Sequence, residues 1–277
     1  LRSATEIDAE AVKRIVREEY QAAGMTPEML RTGAVIITGE TARKENANEV
    51  LEALSDLAGD FVVATAGPDL ESVLSARGAG TDALSKEKRT AIANVDIGGG
   101  TTDIAVITLG SMACSTSLKL AGDALTAAVQ RFVQEKYQIV VGENMAERIK
   151  IALGSVAPLP VPLSFEVSGK DLATASPRTI ALSDTDTREA FQPITEKLVS
   201  AVMGILEVTP PELGADIMRQ GMLLTGGGAL LRGFADRITK ATRIPVYVDS
   251  DPLTTVLRGA GITLDDPEKY RDLLIEC

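Results

Sequence analysis

A glycine turn between two strand-like segments constrains this chain more than any other feature. The first segment, residues 91–95, is largely apolar, and the second, residues 104–107, is rich in β-branched side chains. Between them lie an acid and three glycines: Asp96, Gly98, Gly99 and Gly100. Two such segments joined by a short glycine turn are typical of an antiparallel hairpin. Glycine has no Cβ and adopts positive φ readily, so an anion can approach the amides of this turn.

The residues beside the glycines favour a phosphate site over a plain hairpin. Asp96 stands at the end of its strand, where it can hold a Mg²⁺ ion through water. Thr101 and Thr102 follow the glycines and can offer hydroxyl groups to the same phosphate. A hairpin with an ordinary glycine-rich turn is the alternative, and three glycines alone would not exclude it.

A second glycine turn comes late in the chain. Gly226, Gly227 and Gly228 follow a buried strand at residues 222–224 and precede a predicted helix at residues 229–241. A strand, a glycine turn and a helix N-terminus present free amides and a partial positive charge to an anion or a nucleobase edge. The alternative is that these glycines only allow a tight crossing from the strand to the helix, without binding a ligand. Together, the two turns predict a nucleotide clamp.

A helix near the middle of the chain carries two further candidates. Glu147 and Lys150 are three residues apart, so both side chains leave the same side of the helix and can meet one small polar group. An ordinary surface ion pair is the alternative. Asp123, after Gly122, is a candidate for the same pocket or a cap for the helix that begins at Ala124.

The composition excludes several classes of function. A formal net charge of −11 repels DNA and RNA, and 3% aromatic residues leave few side chains to stack on bases. There is no histidine, which excludes a histidine metal site or catalytic triad. The only cysteines, Cys114 and Cys277, stand in no metal spacing, and no signal peptide or long apolar segment is present. These features predict a soluble protein of the reducing cytoplasm.

The order of predicted elements indicates an α/β fold. A helix over residues 6–23 precedes a strand at 33–38, a helix at 45–58 and a strand at 60–65, which suggests a parallel unit. The loop over residues 38–47 could bind a ligand or could simply be a solvated helix start. Further helices are predicted at residues 184–207, with an apolar stripe facing the core, and at 253–262 and 267–276.

The segment from Asn94 to Asp103 resembles the second phosphate loop of the superfamily of actin, sugar-kinase and heat-shock-chaperone ATPases. This resemblance implies an actin-like, ribonuclease H-like α/β fold with two lobes around a cleft that binds ATP and Mg²⁺. It also implies that Glu147 and Lys150 contact the ribose hydroxyls and the adenine edge, and that Gly226, Gly227 and Gly228 lie on the adenosine side.

Two narrower resemblances divide the chain near residue 96. Residues 5–96, and above all 33–47 and 59–72, are similar to the ethanolamine ammonia-lyase reactivating factor EutA, which implies a chaperone with that enzyme as partner. Residues 97–277, above all 142–155 and 223–233, resemble the bacterial actin homologue MreB, which implies a filament-forming, cell-shape ATPase. The resulting parts are a remnant of the first lobe (1–93), the nucleotide-binding second lobe (94–252) and C-terminal helices that return to the first lobe (253–277). A folded scaffold without turnover is a third possibility.

The chain also departs from these families. No first phosphate loop precedes Glu6, so the chain looks truncated, and weakened nucleotide affinity is expected. The Glu-Pro pair of MreB-like proteins reads Gly67-Pro68 here, which leaves Glu71 as a substitute to position the attacking water or as a solvated helix carboxylate. The membrane-binding segment of MreB is not recognisable, so the sequence does not support membrane contact.

Overall fold

The computed structural model describes residues 6–26, 29, 33–37, 46, 50, 54, 61–65 and 68–265. In chain order its strands are β1 (Gly33–Ile37), β2 (Phe61–Thr65), β3 (Ala91–Ile97), β4 (Thr102–Thr108), β5 (Ser111–Leu118), β6 (Ile139–Val140), β7 (Ser164–Asp171), β8 (Pro177–Ser183), β9 (Met222–Thr225) and β10 (Val246–Val248). Its α-helices are α1 (Ala9–Ala22), α2 (Pro68–Gly78), α3 (Thr81–Lys88), α4 (Gly122–Tyr137), α5 (Glu143–Leu153), α6 (Asp184–Val208), α7 (Pro211–Gln220), α8 (Phe234–Thr242) and α9 (Thr255–Asp265). The predicted α/β class is confirmed.

The central sheet has the strand order β10-β9-β3-β4-β5. Strands β3 and β4 form the predicted antiparallel hairpin, in which Asp96 pairs with Asp103. On its other side β3 runs parallel to β9, and Asp96 pairs there with Thr225. Parallel neighbours end at the same edge of a sheet, so the segments that follow β3 and β9 begin side by side.

The two faces of this sheet are covered by different helices. Because side chains alternate along a strand, one face of β3 presents Ala93, Val95 and Ile97 to a core shared with α6, α7 and α8. The opposite face is covered by α2, where Ala76 packs against Ala105 and Ile107 of β4. Asn94 and Asp96 therefore lie on the α2 face of the sheet.

A smaller sheet has the order β6-β7-β8 and packs with α4 and α5 around a second core. Helix α6 joins the two cores, because Phe191 near its start lies in the second and Leu198 and Val202 lie in the first. Its N-cap is Ser183, which forms a capping box with Asp186. The predicted helix at residues 184–207 and its inward apolar stripe are confirmed.

The N-terminal elements agree with the prediction where the structure describes them. Helix α1 is capped by Asp8, and strands β1 and β2 pair in parallel as expected. Ile15 is exposed on α1. The predicted helices at residues 45–58 and 267–276 and the loop at 38–47 lie outside the described residues, apart from Asn46, Val50 and Leu54.

Helices α2 and α9 touch backbone to backbone. A Cβ built on Gly259 of α9 would overlap the carbonyl oxygen of Leu74, and one built on Gly78 of α2 would overlap the carbonyl oxygen of Thr255. Only glycine allows helices to approach this closely. Helix α9 also contacts β1, so it does pack toward the N-terminal elements. The three-part division at residues 93 and 252 stays a prediction.

Candidate functional site

The first glycine turn is anchored to the start of helix α4. The amide of Gly98 donates to the carbonyl oxygen of Thr101 (2.9 Å) and closes the turn. The amides of Gly122 and Asp123 donate to the carbonyl oxygens of Gly98 (3.1 Å) and Gly99 (2.8 Å). Within the described part of the chain, the amides of Gly99 and Gly100 have no hydrogen-bond partner. The turn therefore holds free donors in a fixed position, as an anion site requires.

The second glycine turn packs directly on the end of β3. Gly226 has φ +76°, and a Cβ there would overlap Oδ1 of Asp96. A Cβ on Gly228 would overlap the side chain of Ile97. The amide of Gly226 donates to the carbonyl oxygen of Pro252 (2.9 Å), which fixes the turn from its other side. The structure thus brings the two turns together at one edge of the sheet.

The element after the second turn differs from the predicted helix over residues 229–241. A short 3-10 helix spans Gly227–Leu230, and α8 begins only at Phe234. Gly233, with φ +80°, is the N-cap of α8 and breaks the helical path. The predicted contribution of an α-helix dipole at Gly226–Gly228 is therefore wrong, and any anion there would meet the amides of the 3-10 turn.

Asp96 is buried in a polar network that ties it to α2 and β9. Its side chain is 4% exposed, and its Oδ2 has no hydrogen-bond partner. Burial raises the pKa of Asp96 to about 6, against hydrogen bonds from Ser75 and Thr225 that lower it, and the charge of Asp103 adds to the rise. The Ser75 and Thr225 hydroxyl groups lie 2.9 Å apart, and Asn94 Nδ2 donates to Ser75 Oγ (3.0 Å). An orphaned buried carboxylate oxygen fits the predicted Mg²⁺ site, since a cation or its water would satisfy it.

Asp103 faces Asp96 across the hairpin and was not a predicted site residue. It is 3% exposed, and its Oδ1 also lacks a hydrogen-bond partner. Burial raises the pKa of Asp103, while hydrogen bonds from Ser117 and Thr101 lower it. The signal for Asp103 was present in the sequence as an acid placed in an otherwise apolar strand.

Thr101 and Thr102, the two threonines of the predicted phosphate site, have different hydrogen-bond partners. Thr102 Oγ1 donates to the carbonyl oxygen of Leu120 (2.7 Å), so the structure gives this hydroxyl a backbone contact in place of the predicted phosphate contact. The cause is strand alternation, which turns Thr102 away from the face that holds Asp103. Thr101 lies in the turn and hydrogen-bonds to Asp103.

Glu147 and Lys150 form an ion pair beside the first turn. Lys150 Nζ lies 2.6 Å from Glu147 Oε2 and also donates to the carbonyl oxygen of Gly122 (3.3 Å). Burial raises the pKa of Glu147, but hydrogen bonds from Lys150 and Thr126 outweigh this and hold it below its ordinary value. The pair is therefore placed within reach of anything bound at Gly98 and Gly99.

Asp123 and Glu71 border the same region. Helix α4 begins at Gly122 with Ala121 as N-cap, so Asp123 lies inside the first turn and is not the cap for Ala124. Its Oδ1 would be 3.6 Å from a Cβ on Gly99. Glu71 lies one helical turn before Ser75 on α2, which places both on one face of that helix.

Ser75, Asn94 and Thr225 are site residues that sequence reasoning missed. Asn94 carried a signal, because it shares a strand face with Asp96. Ser75 and Thr225 carried none, since their approach to Asp96 depends on how α2 and β9 pack against β3.

Two features are absent from the described residues. None of their His, Cys, Asp and Glu side chains gather in threes that could enclose a metal ion. No helix in the described ranges has the length and apolar character that a bilayer crossing needs.

The mixed sheet, the helices on both of its faces and the paired turns at its edge define an α/β protein of the actin-like fold. The family model for MreB/Mbl protein matches residues 3–272, nearly the whole chain. The chain belongs to the MreB/Mbl family. This model spans the seam predicted near residue 96, and nothing found supports a EutA-like origin for residues 5–96 or ethanolamine ammonia-lyase as a partner.

Curated relatives and solved structures agree with this family. The chain is 41% identical over 175 residues to the cell shape-determining protein Mbl of Bacillus cereus (63% of this chain, 53% of that protein). It is 44% identical over 195 residues to the cell shape-determining protein MreB of Escherichia coli K12 (70% and 55%). The chain thus spans about half the length of the curated relatives it matches.

Two solved structures extend the comparison. MreB5 of Spiroplasma citri bound to ADP superposes with a TM-score of 0.78 at 26% identity, over 97% of this chain and 79% of that one. The MamK double helical filament superposes with a TM-score of 0.63 at 23% identity, over 84% and 68%, which shows the fold alone.

Proposed function

We propose that this chain binds ATP with Mg²⁺ at the two glycine turns and acts in the cytoplasm as an MreB-like, cell-shape protein of the actin superfamily. One observation carries the proposal: both turns meet at Asp96, whose buried Oδ2 lacks a partner among the described residues. The S. citri MreB5 structures contain ADP and AMPPNP, which supports a nucleotide at this place in the fold.

Each candidate takes a separate part in binding. The amides of Gly99 and Gly100 donate to phosphate oxygens, with Thr101 beside them, and Gly226, Gly227 and Gly228 lie on the adenosine side. Asp96 faces the cation, which when bound neutralises phosphate charge. Glu147 and Lys150 contact the ribose and base near Gly122 and Asp123, and Glu71 remains the proposed group that positions the attacking water. Thr102 supports the turn from behind, through Leu120.

Isothermal titration with ADP in Mg²⁺ buffer tests nucleotide binding. Substitution of Lys150→Met and Asp96→Asn should each lower affinity by about 10–100-fold, because hydrogen bonds to charged groups contribute about 1.5–3 kcal/mol. Lys197→Met removes an exposed lysine of α6 and should leave the affinity unchanged. A wild-type chain without measurable affinity at millimolar ADP would refute the proposal. Phosphate release under the same conditions reports hydrolysis separately.

Self-association with a second copy of this chain is the partner we propose. The MamK relative is a filament, and MreB/Mbl membership makes the same assembly the expected one here. Pelleting by ultracentrifugation with and without AMPPNP tests it. Sedimentation as a monomer at all protein concentrations, with nucleotide bound, would contradict self-association and leave nucleotide binding intact.

A further inference from the structure

We infer that Asp103 is a second carboxylate of the phosphate site, where it positions the water molecules around the cation that Asp96 faces. This inference rests on the proposed nucleotide site. Asp103 is directly opposite Asp96 in the β3–β4 register, and both side chains are almost fully buried. Side chains directly opposite each other in an antiparallel pair have Cβ atoms about 4.5–5.5 Å apart, so the two carboxylates are neighbours.

Each carboxylate has a buried oxygen without a donor. The hydroxyl groups of Ser75 and Thr225 lie beside Asp96, and those of Ser117 and Thr101 lie beside Asp103. Asp96 Oδ2 and Asp103 Oδ1 are buried and have no partner in the described part of the chain. No described lysine or arginine forms an ion pair with either of them. The two neighbouring oxygens therefore both lack a hydrogen-bond donor and an ion-pair partner among the described residues.

Like charges placed directly opposite each other destabilise a hairpin, and unpaired buried carboxylates cost more. A hydrated divalent cation removes both penalties, since its charge balances the pair and its water molecules donate to the free oxygens. Mg²⁺ keeps several water ligands and is commonly held by one or two carboxylates plus substrate phosphates. The absence of a three-ligand cluster among the described residues agrees with this water-mediated arrangement.

The position of Asp103 separates it from the nucleotide itself. It stands on β4 beyond the glycine turn, with Thr101 and Ser117 beside it. The phosphate donors are in the turn, and Asp103 and Asp96 face each other at one register position behind it. Asp103 is thus a positioning residue: it orders the cation's water shell and does not contact the base or ribose.

The test measures how Mg²⁺ changes ADP affinity, by titration calorimetry in Mg²⁺ and in EDTA. Asp103→Asn should reduce the gain in ADP affinity that Mg²⁺ gives over EDTA by about 10–100-fold, as is usual for groups around a metal's ligands. Asp103→Glu restores the charge and should recover part of the gain. Asp171→Asn, in the β7–β8 hairpin, is the matched control and should show the same gain in ADP affinity from Mg²⁺ as wild type.

A direct readout uses Mn²⁺ in place of Mg²⁺. Electron paramagnetic resonance should show weaker Mn²⁺ binding to the ADP complex of Asp103→Asn than to the wild-type complex. Ser117→Ala changes an exposed residue and releases one contact of Asp103. It should lower the gain in ADP affinity from Mg²⁺ severalfold. If Asp103→Asn does not fold, Ser117→Ala supplies the test of the role of Asp103.

Equal Mg²⁺ gain and equal Mn²⁺ binding in wild type and the folded variants would overturn this inference while leaving nucleotide binding standing. A wild-type chain that binds no ADP would overturn the nucleotide proposal first.

Discussion

Replacing Asp96 by asparagine should stabilise the metal-free protein at neutral pH, although it should weaken nucleotide binding. The carboxylate is 4% exposed, faces Asp103, and has an oxygen without a partner. Asparagine has nearly the same shape and can keep an acceptor toward Ser75 and Thr225, but it carries no charge. Binding sites commonly sacrifice stability in this way.

The magnitude follows from the pKa of Asp96, which rises from 3.8 to about 6 on folding. Each pKa unit corresponds to about 1.4 kcal/mol, so the ionised side chain costs about 3 kcal/mol of folding stability. Well below pH 4 both the folded and unfolded states hold the proton, and there is no penalty. Between pH 4 and 6 the folded state binds more protons, so the penalty grows as pH rises and is complete above pH 7.

Urea unfolding in EDTA at pH 4.5, 6 and 7.5 measures this difference. The free energy of unfolding of Asp96→Asn should exceed that of wild type by about 3 kcal/mol at pH 7.5 and by only about 1 kcal/mol at pH 4.5. The contributions of the other titrating groups cancel in the difference between the two unfolding free energies, because both proteins contain these groups. An Asp96→Asn variant that is less stable than wild type at pH 7.5, or a difference that does not depend on pH, would refute the reasoning.

Three further predictions concern other parts of the fold. Asp171→Asn should destabilise the protein more as pH rises from 2 toward 4, because backbone amides and Arg178 lower the pKa of Asp171 to about 2; urea unfolding across this window measures it. Gly259→Ala should cost about 1–3 kcal/mol, since the added methyl group overlaps Leu74, and the urea midpoint reports the loss. Ser75→Ala should raise the pKa of Asp96 further by removing a hydrogen bond, which an NMR titration of its carboxyl carbon would show.

The hairpin could be predicted because it depends on local patterns. Strand alternation and glycine at a turn are visible as apolar periodicity and turn residues. Asp96 followed directly, since an acid at the end of a buried strand has few structural uses. Helical spacing alone predicted that Glu147 and Lys150 leave the same side of their helix, whereas their role at a nucleotide came from the resemblance.

The polar network behind Asp96 could not be predicted, because it depends on contacts between distant segments. Ser75 and Thr225 are 150 residues apart, and their contact requires both the rotation of α2 and the register of β9. The start of α8 was predicted too early because the apolar residues have helical spacing from residue 229 onward. In the structure a 3-10 turn and Gly233 delay the start of the helix to Phe234.

The glycine contact between α2 and α9 has a mechanical consequence. Ser75 touches the surroundings of Asp96, and Gly78, three residues later on the same helix, rests against the backbone of α9. Side chains normally absorb small displacements by changing rotamer, but here two main chains meet with nothing between them. A shift of α2 by a few tenths of an ångström must therefore push α9 by a similar distance. A displacement of α2 at the end of the sheet is therefore transmitted directly to α9.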